Sequence, residues 1–143
     1  MSDLSLNNFK IGNQESMTLM GGVNVLESDS VVMKVAEKFA ETTARLKINW
    51  IFKGSYDKAN RSSIASYRGP GLEEGLRMLE KVKSEFDVPI VTDIHEPSQA
   101  EPVSNVSDVI QIPAFLCRQT DLVTAAANTQ RIIQFKKPQF LSA

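Results

Sequence analysis

Cysteine is nearly missing from this 143-residue chain, and the single Cys117 leaves no partner for an internal disulfide. A disulfide-stapled secreted scaffold is therefore excluded, and five methionines beside many Asn and Gln suit a reducing interior, so a cytoplasmic location is expected. One histidine, His95, cannot anchor a metal by itself. No apolar run approaches the ~20 residues a membrane helix needs, and residues 1–14 carry polar groups throughout, so neither a membrane span nor a secretory signal is expected. Charge of one sign is also lacking. Sixteen Lys and Arg against seventeen Asp and Glu leave a net charge of −1, which provides no broad field for nucleic acid or membrane. The seven glycines never form a P-loop or a dinucleotide fingerprint; Gly21 and Gly22 permit close backbone approach but are a weak signal alone.

What is present is a globular composition, 42% apolar and 23% charged, enough for one domain with a core. Short β-rich runs alternate with amphipathic stretches, which argues for parallel strands joined by crossover helices. Strands are predicted at 17–21, 48–53, 90–94, 109–112 and 131–136, after an N-terminal hairpin within 4–14. Val32, Val35, Ala36, Phe39 and Leu46 recur at helical spacing, as do Leu72, Leu76, Leu79, Val82 and Phe86, predicting two core-facing helices. Pro97 suits a first helical position, Pro102 keeps that helix short, and a fourth helix covers 120–128. No repeat or linker divides residues 1–143, so a single domain is expected. Five strands leave two open edges, because a (β/α)₈ barrel takes about 250 residues to close. The chain reads either as an open-sheet protein or as the first part of a barrel.

In parallel α/β architectures ligands bind at the carboxyl ends of strands, and side chains alternate between faces. In the second strand the apolar face of Ile48, Trp50 and Phe52 should meet helices, which turns Lys53 to the opposite, inner side. The same parity groups Val91, Asp93 and His95 on the third strand, Val109 with Gln111 on the fourth, and Ile132 and Gln134 with Lys136 on the fifth. Four successive strands thus finish in polar side chains on one side, a costly arrangement unless a ligand satisfies them. Taken singly, each lysine is equally compatible with snorkelling or an ion pair to Asp93, and His95 with orienting a neighbour. The long connection 54–70 sets Lys58, Arg61 and Arg68 against Asp57 alone, with Asn60, Ser62 and Ser63 as neutral donors, a chemistry suited to phosphate or carboxylate. Tyr56 and Tyr67 are too few to stack on bases, which ranks nucleic acid below a small phosphorylated molecule. Cys117 lacks a sequence-adjacent activator and reads as a packed thiol.

Several long motifs, in order, carry a resemblance. They are Asn24 within Gly-Gly-Val-Asn-Val-Leu-Glu-Ser, Phe52 to Ser63, Thr92 to Pro97, Gln111 to Asp121, and Lys136 to Phe140. Over nearly its whole length the chain resembles 3-deoxy-D-manno-octulosonate 8-phosphate synthase, a homotetrameric (β/α)₈ TIM-barrel family. The resemblance implies condensation of phosphoenolpyruvate with D-arabinose 5-phosphate and water for lipopolysaccharide synthesis. It implies that Lys53, Lys58 and Lys136 bind phosphoenolpyruvate, that Asn60, Arg61 and Ser62 bind the pentose phosphate, and that Asp93 and Gln111 line the site. His95 is placed with the substrate-binding set, and Asn24, Lys136 and Asp93 with the catalytic set. Phe115 and Arg118 would reach a neighbouring subunit's site. Asn24 stands where the metal-dependent branch has a cysteine, implying the metal-free branch and no cofactor. The chain would supply about the first five β/α units after the hairpin, while the family continues through three more strands with an arginine, a histidine and acidic side chains. Poor folding, association or lack of turnover is the expectation for the chain alone. The alternatives are a non-catalytic phosphate-ligand or oligomer-interaction fragment, or the related synthase that uses erythrose 4-phosphate.

Overall fold

A computed structural model describes residues 3–7 and 9–142. Two short strands, β1 (Leu4–Leu6) and β2 (Phe9–Ile11), pair antiparallel with Leu6 opposite Phe9. The remaining strands, β3 (Thr18–Gly22), β4 (Asn49–Lys53), β5 (Ile90–Asp93), β6 (Val109–Ile112) and β7 (Ile132–Phe135), form one sheet in sequence order, every neighbour parallel. Between them run α1 (Asp29–Leu46), α2 (Leu72–Phe86), the short α3 (Ala100–Ser104) and α4 (Thr120–Asn128). The result is a parallel α/β sheet with alternating helices: four complete strand–helix units and a fifth strand.

Local chemistry accounts for the helix ends. Ser28 caps α1, its Oγ accepting from the Val31 N–H at 3.4 Å, and Lys47 closes it in the left-handed region at φ 55°. Glu96 and Gln99 form a capping box around a single 3-10 turn, Pro97–Gln99, with Pro97 at the first position, where a missing N–H costs nothing.

The alternation of side chains gives the sheet two unlike faces. Outward, Trp50, Phe52, Ile90, Ile94, Ile110 and Ile112 join Val32, Ala36, Met78, Leu79, Val82, Val103, Leu122 and Ala126 in the main core. Leu46, expected in this core, is 55% exposed instead. It borders an apolar groove with Leu19, Val35, Phe39 and Ile48 beside β3, which among the described residues pairs on one side only. Inward, a second cluster of Ile51, Val91 and Val109 is closed by Leu6, with Phe9, Ile11 and Ile132 packed against it. The β1–β2 ribbon therefore plugs the amino-terminal end of the inner face. Leu6 is 6% exposed, so Leu6→Ala is expected to lower unfolding free energy by about 2–3 kcal/mol, read as a shifted urea midpoint at unchanged slope.

Candidate functional site

Above that apolar layer, one step along each strand toward the carboxyl end, the inner face turns polar. Lys53 follows Ile51 on β4, Asp93 follows Val91 on β5, Gln111 follows Val109 on β6, and Gln134 then Lys136 follow Ile132 at β7. The register sets Asp93 beside Gln111 and Gln111 beside Gln134. Parity runs one residue past β4 as well: Ser55, completely buried, lies two positions after Lys53 and shares its direction.

Asp93 is the hub. Lys53 Nζ donates to its Oδ1 at 3.2 Å and to Ser55 Oγ at 2.9 Å, and Ser55 Oγ donates to the same Oδ1. His95 Nε2 lies 3.5 Å from the other carboxylate oxygen. Burial on its own would raise the carboxyl's pKa. The His95 contact, the Lys53 charge, the Ser55 hydroxyl and the Lys58 charge outweigh it and hold the group ionised, well below the usual carboxylate range. For Lys53 the balance goes the other way. Burial lowers its pKa most, Asp93 opposes that by charge and hydrogen bond, and the nearby Lys58 and Lys136 charges lower it further. The charges of Lys58 and Lys136 thus both bear on Lys53, which is itself paired with one buried carboxylate. The ion-pair reading of Lys53 is the one observed, and the pair lies close to the further positive charges of Lys58 and Lys136.

These groups border a cavity of about 320 Å³. Of the expected site residues, Lys58, Asn60, Asp93, His95, Gln111, Phe115 and Lys136 line it. Lys53 reaches it through Asp93. Asn24, Arg61, Ser62 and Arg118 do not line it. Asn24 is exposed on a segment tethered to the same strand end by Val23 N–H to Lys53 O and Leu26 N–H to Ser55 O, both 2.9 Å. Arg61 donates through Nε to Tyr67 O at 3.1 Å, and Ser62 and Arg118 are exposed. Phe115, expected to reach a neighbour, borders this chain's own cavity and stacks on Phe140 at 6.4 Å.

The connection 54–70 is tied at its base. Arg68 binds Asp57 bidentately at 2.8 and 2.6 Å, and Lys58 N–H donates to Arg68 O at 2.6 Å. The Arg68 hydrogen bond holds the Asp57 carboxyl below its ordinary pKa. Arg68 thus closes the loop on Asp57, and of the loop's three cations Lys58 is the one that lines the cavity. Gly69 permits the turn: at φ 128°, a Cβ there would lie 2.2 Å from Tyr56 O. Sequence reasoning passes over Ser55 and Gln139, the latter also lining the cavity. Continuing the strand parity past Lys53 is the signal that finds Ser55; Gln139 sits in irregular chain and has none. Cys117 is partly buried against the main core. Among the described residues no three His, Cys, Asp or Glu side chains gather to hold a metal ion, and no helix is long and apolar enough to cross a membrane.

Comparison with known proteins adds an independent line. The sequence pattern of the DAHP synthetase I family matches residues 2–143. The chain is 56% identical over 143 residues to a 2-dehydro-3-deoxyphosphooctonate aldolase of Colwellia psychrerythraea, covering 100% of this chain and 51% of that protein. It is 58% identical over 132 residues to the protein of the same name from Chromobacterium violaceum (92% and 47% covered), and 58% over 139 residues to that from Psychromonas ingrahamii (97% and 50%). The chain thus spans about half the length of these curated relatives.

Proposed function

Since the chain belongs to the DAHP synthetase I family, we propose that it is the amino-terminal part of a 2-dehydro-3-deoxyphosphooctonate aldolase, the octulosonate-phosphate synthase of its relatives' name. On this reading residues 1–143 are one domain, an N-terminal hairpin followed by about the first five units of a (β/α)₈ barrel. The reaction condenses phosphoenolpyruvate with D-arabinose 5-phosphate and water in lipopolysaccharide biosynthesis, in the cytoplasm and within a homotetramer. The observation that carries the proposal is the excess of ammonium groups over carboxylate at one rim: Lys53, Lys58 and Lys136 against Asp93.

Two substrates bring two phosphates and a carboxylate to one place, and fixed cations lower the cost of that approach. Phosphoenolpyruvate is assigned to Lys53, Lys58 and Lys136, with Gln111 and His95 bordering it. The pentose phosphate is assigned to Asn60, Arg61 and Ser62, of which Asn60 already borders the cavity. In the reaction, C3 of the enol bonds to the aldehyde carbon. Positive charge develops at C2, and the aldehyde oxygen gains a lone pair whose charge is assigned to Lys136. Water adds to C2, and the proton it gives up converts the new alkoxide to a hydroxyl; the C2–O bond to phosphate then breaks as the remaining C2 hydroxyl proton passes to the departing phosphate, leaving the C2 ketone. Asp93, kept ionised, holds Lys53 in place throughout. Asn24, a neutral amide where the metal-dependent branch has a thiolate, is assigned to the metal-free branch, which requires no divalent ion. Phe115 and Arg118 serve a neighbouring subunit's site once chains assemble.

The test is phosphate release by the purified chain, alone and with a polypeptide covering the rest of the Colwellia relative's length. Release with D-arabinose 5-phosphate, restored by that second polypeptide, undiminished by EDTA and absent with erythrose 4-phosphate, is the expected result. Phosphoenolpyruvate binding with no product under any complementation overturns it in favour of a non-catalytic phosphate-binding module.

A further inference from the structure

One side chain that borders no part of the cavity is bonded to two of the segments that do, the connection carrying Lys58 and the turn carrying His95. The Gln99 amide oxygen accepts three hydrogen bonds, from His95 N–H at 2.7 Å, from Glu96 N–H at 3.2 Å and from the Tyr56 hydroxyl at 2.9 Å. A capping box asks this oxygen to accept only from the N-cap N–H, here Glu96; the His95 N–H is already a second donor, and the two fill both lone pairs of the carbonyl oxygen. The third donor comes from a different element. Tyr56 belongs to the connection after β4, is 1% exposed, and must place its buried hydroxyl on an acceptor.

Tyr56 is itself a fixed post. Its carbonyl accepts from Gly71 N–H at 3.1 Å, and its ring stands edge-on to His95 at 6.2 Å. Gly75 of α2 leaves room for it, since a Cβ there would fall 2.3 Å from the Tyr56 Cβ. Next along the chain on one side is Ser55, bonded to Asp93; two residues on is Lys58, at the cavity. The height of Tyr56 above the sheet therefore sets where Lys58 stands relative to Asp93 and His95, and Gln99 holds Tyr56 and the His95 backbone at once.

We propose that Gln99 is a positioning residue, joining the Lys58 segment and the His95 turn into one rigid anion-binding rim; its consequence for substrate rests on the reading of that rim as the phosphoenolpyruvate site. A role confined to capping the 97–99 turn would leave Lys58 untouched, so the two segments are read separately. Hydrogen exchange of the whole chain is compared for wild type, Gln99→Ala, Gln99→Glu, which keeps an acceptor oxygen, and Tyr56→Phe, which keeps the cap and removes only the third bond. In Gln99→Ala and Tyr56→Phe the Lys58 amide, bonded to Arg68 O, is expected to exchange about tenfold faster, and in Gln99→Ala the amides of 95–96 as well. Gln99→Glu is expected to restore protection. By calorimetry, phosphoenolpyruvate affinity should fall about tenfold in Gln99→Ala and Tyr56→Phe. Faster exchange confined to 95–100, with Lys58 unchanged in both variants, overturns the proposal. Should wild type fail to bind phosphoenolpyruvate while Lys58 exchange still follows Gln99, the pocket reading falls and the positioning role stands.

Discussion

Asp93→Asn is expected to destabilise the chain by about 3 kcal/mol, because it leaves the Lys53 ammonium buried without its counter-charge. The side chains are 6% and 20% exposed, so solvent screens the pair only partly. The amide keeps the shape and one acceptor for Ser55; what goes is charge. Two pH signatures separate this from a packing defect. The native carboxyl holds its proton less tightly than an unfolded aspartate, so its stabilising contribution is present above about pH 4 and is lost as pH falls through its depressed native value. Asparagine removes that part of the acid slope. Lys53, no longer raised by Asp93, has its pKa lowered further by burial and by Lys58 and Lys136. A group whose native pKa lies below its unfolded value adds stability as pH rises, so Asp93→Asn should recover stability between pH 7 and 10 relative to wild type. Urea midpoints across that range give the answer. The double variant Lys53→Met, Asp93→Asn removes both charges and is expected to be more stable than Asp93→Asn alone. Equal midpoints for wild type and Asp93→Asn at pH 7 would remove the hub from the site.

Lys136→Met should weaken phosphoenolpyruvate binding roughly ten- to a hundredfold, the range for a hydrogen bond to a charged group, with little change in stability. The contrast with Asp93 follows from position. Lys136 is exposed at the end of β7, and its backbone N–H donation to Ile112 O at 3.1 Å survives the substitution. Its charge repels that of Lys53 and lowers the Lys53 pKa, so an anion that binds there relieves that repulsion as well as meeting Lys136 directly. Calorimetry at two salt concentrations checks the electrostatic origin, because the loss should shrink as screening increases. Unchanged affinity in Lys136→Met would detach the fifth strand from the anion site.

Much of the site can be read from residue parity because a strand's side chains alternate regardless of what surrounds it. Ile51 and Lys53, Val91 and Asp93, Val109 and Gln111, Ile132 and Gln134 all occupy the inner face, apolar below and polar above. The helices read as well from their apolar stripes, with Val35 and Leu46 the exceptions, both bordering the groove beside β3, which among the described residues pairs on one side only. The irregular segments were a different matter. Counting charges in 54–70 treats Lys58, Arg61 and Arg68 alike, whereas Arg68 closes on Asp57, Arg61 turns to Tyr67 O and Lys58 alone of the three meets the cavity.

Local sequence alone thus determined the five strands, their inner and outer faces and the polar side chains at their carboxyl ends, since each follows from backbone periodicity and the burial of apolar side chains; which strands lie side by side came from the packed sheet. Tertiary structure decided which loop charges serve the cavity, that Ser55 joins Lys53 at Asp93, that Gln99 reaches Tyr56 forty-three positions away, and that the β1–β2 ribbon seals the inner face from below. These contacts connect residues far apart in the chain through loops with no repeating geometry, so they come into being only when the packed sheet brings those loops together.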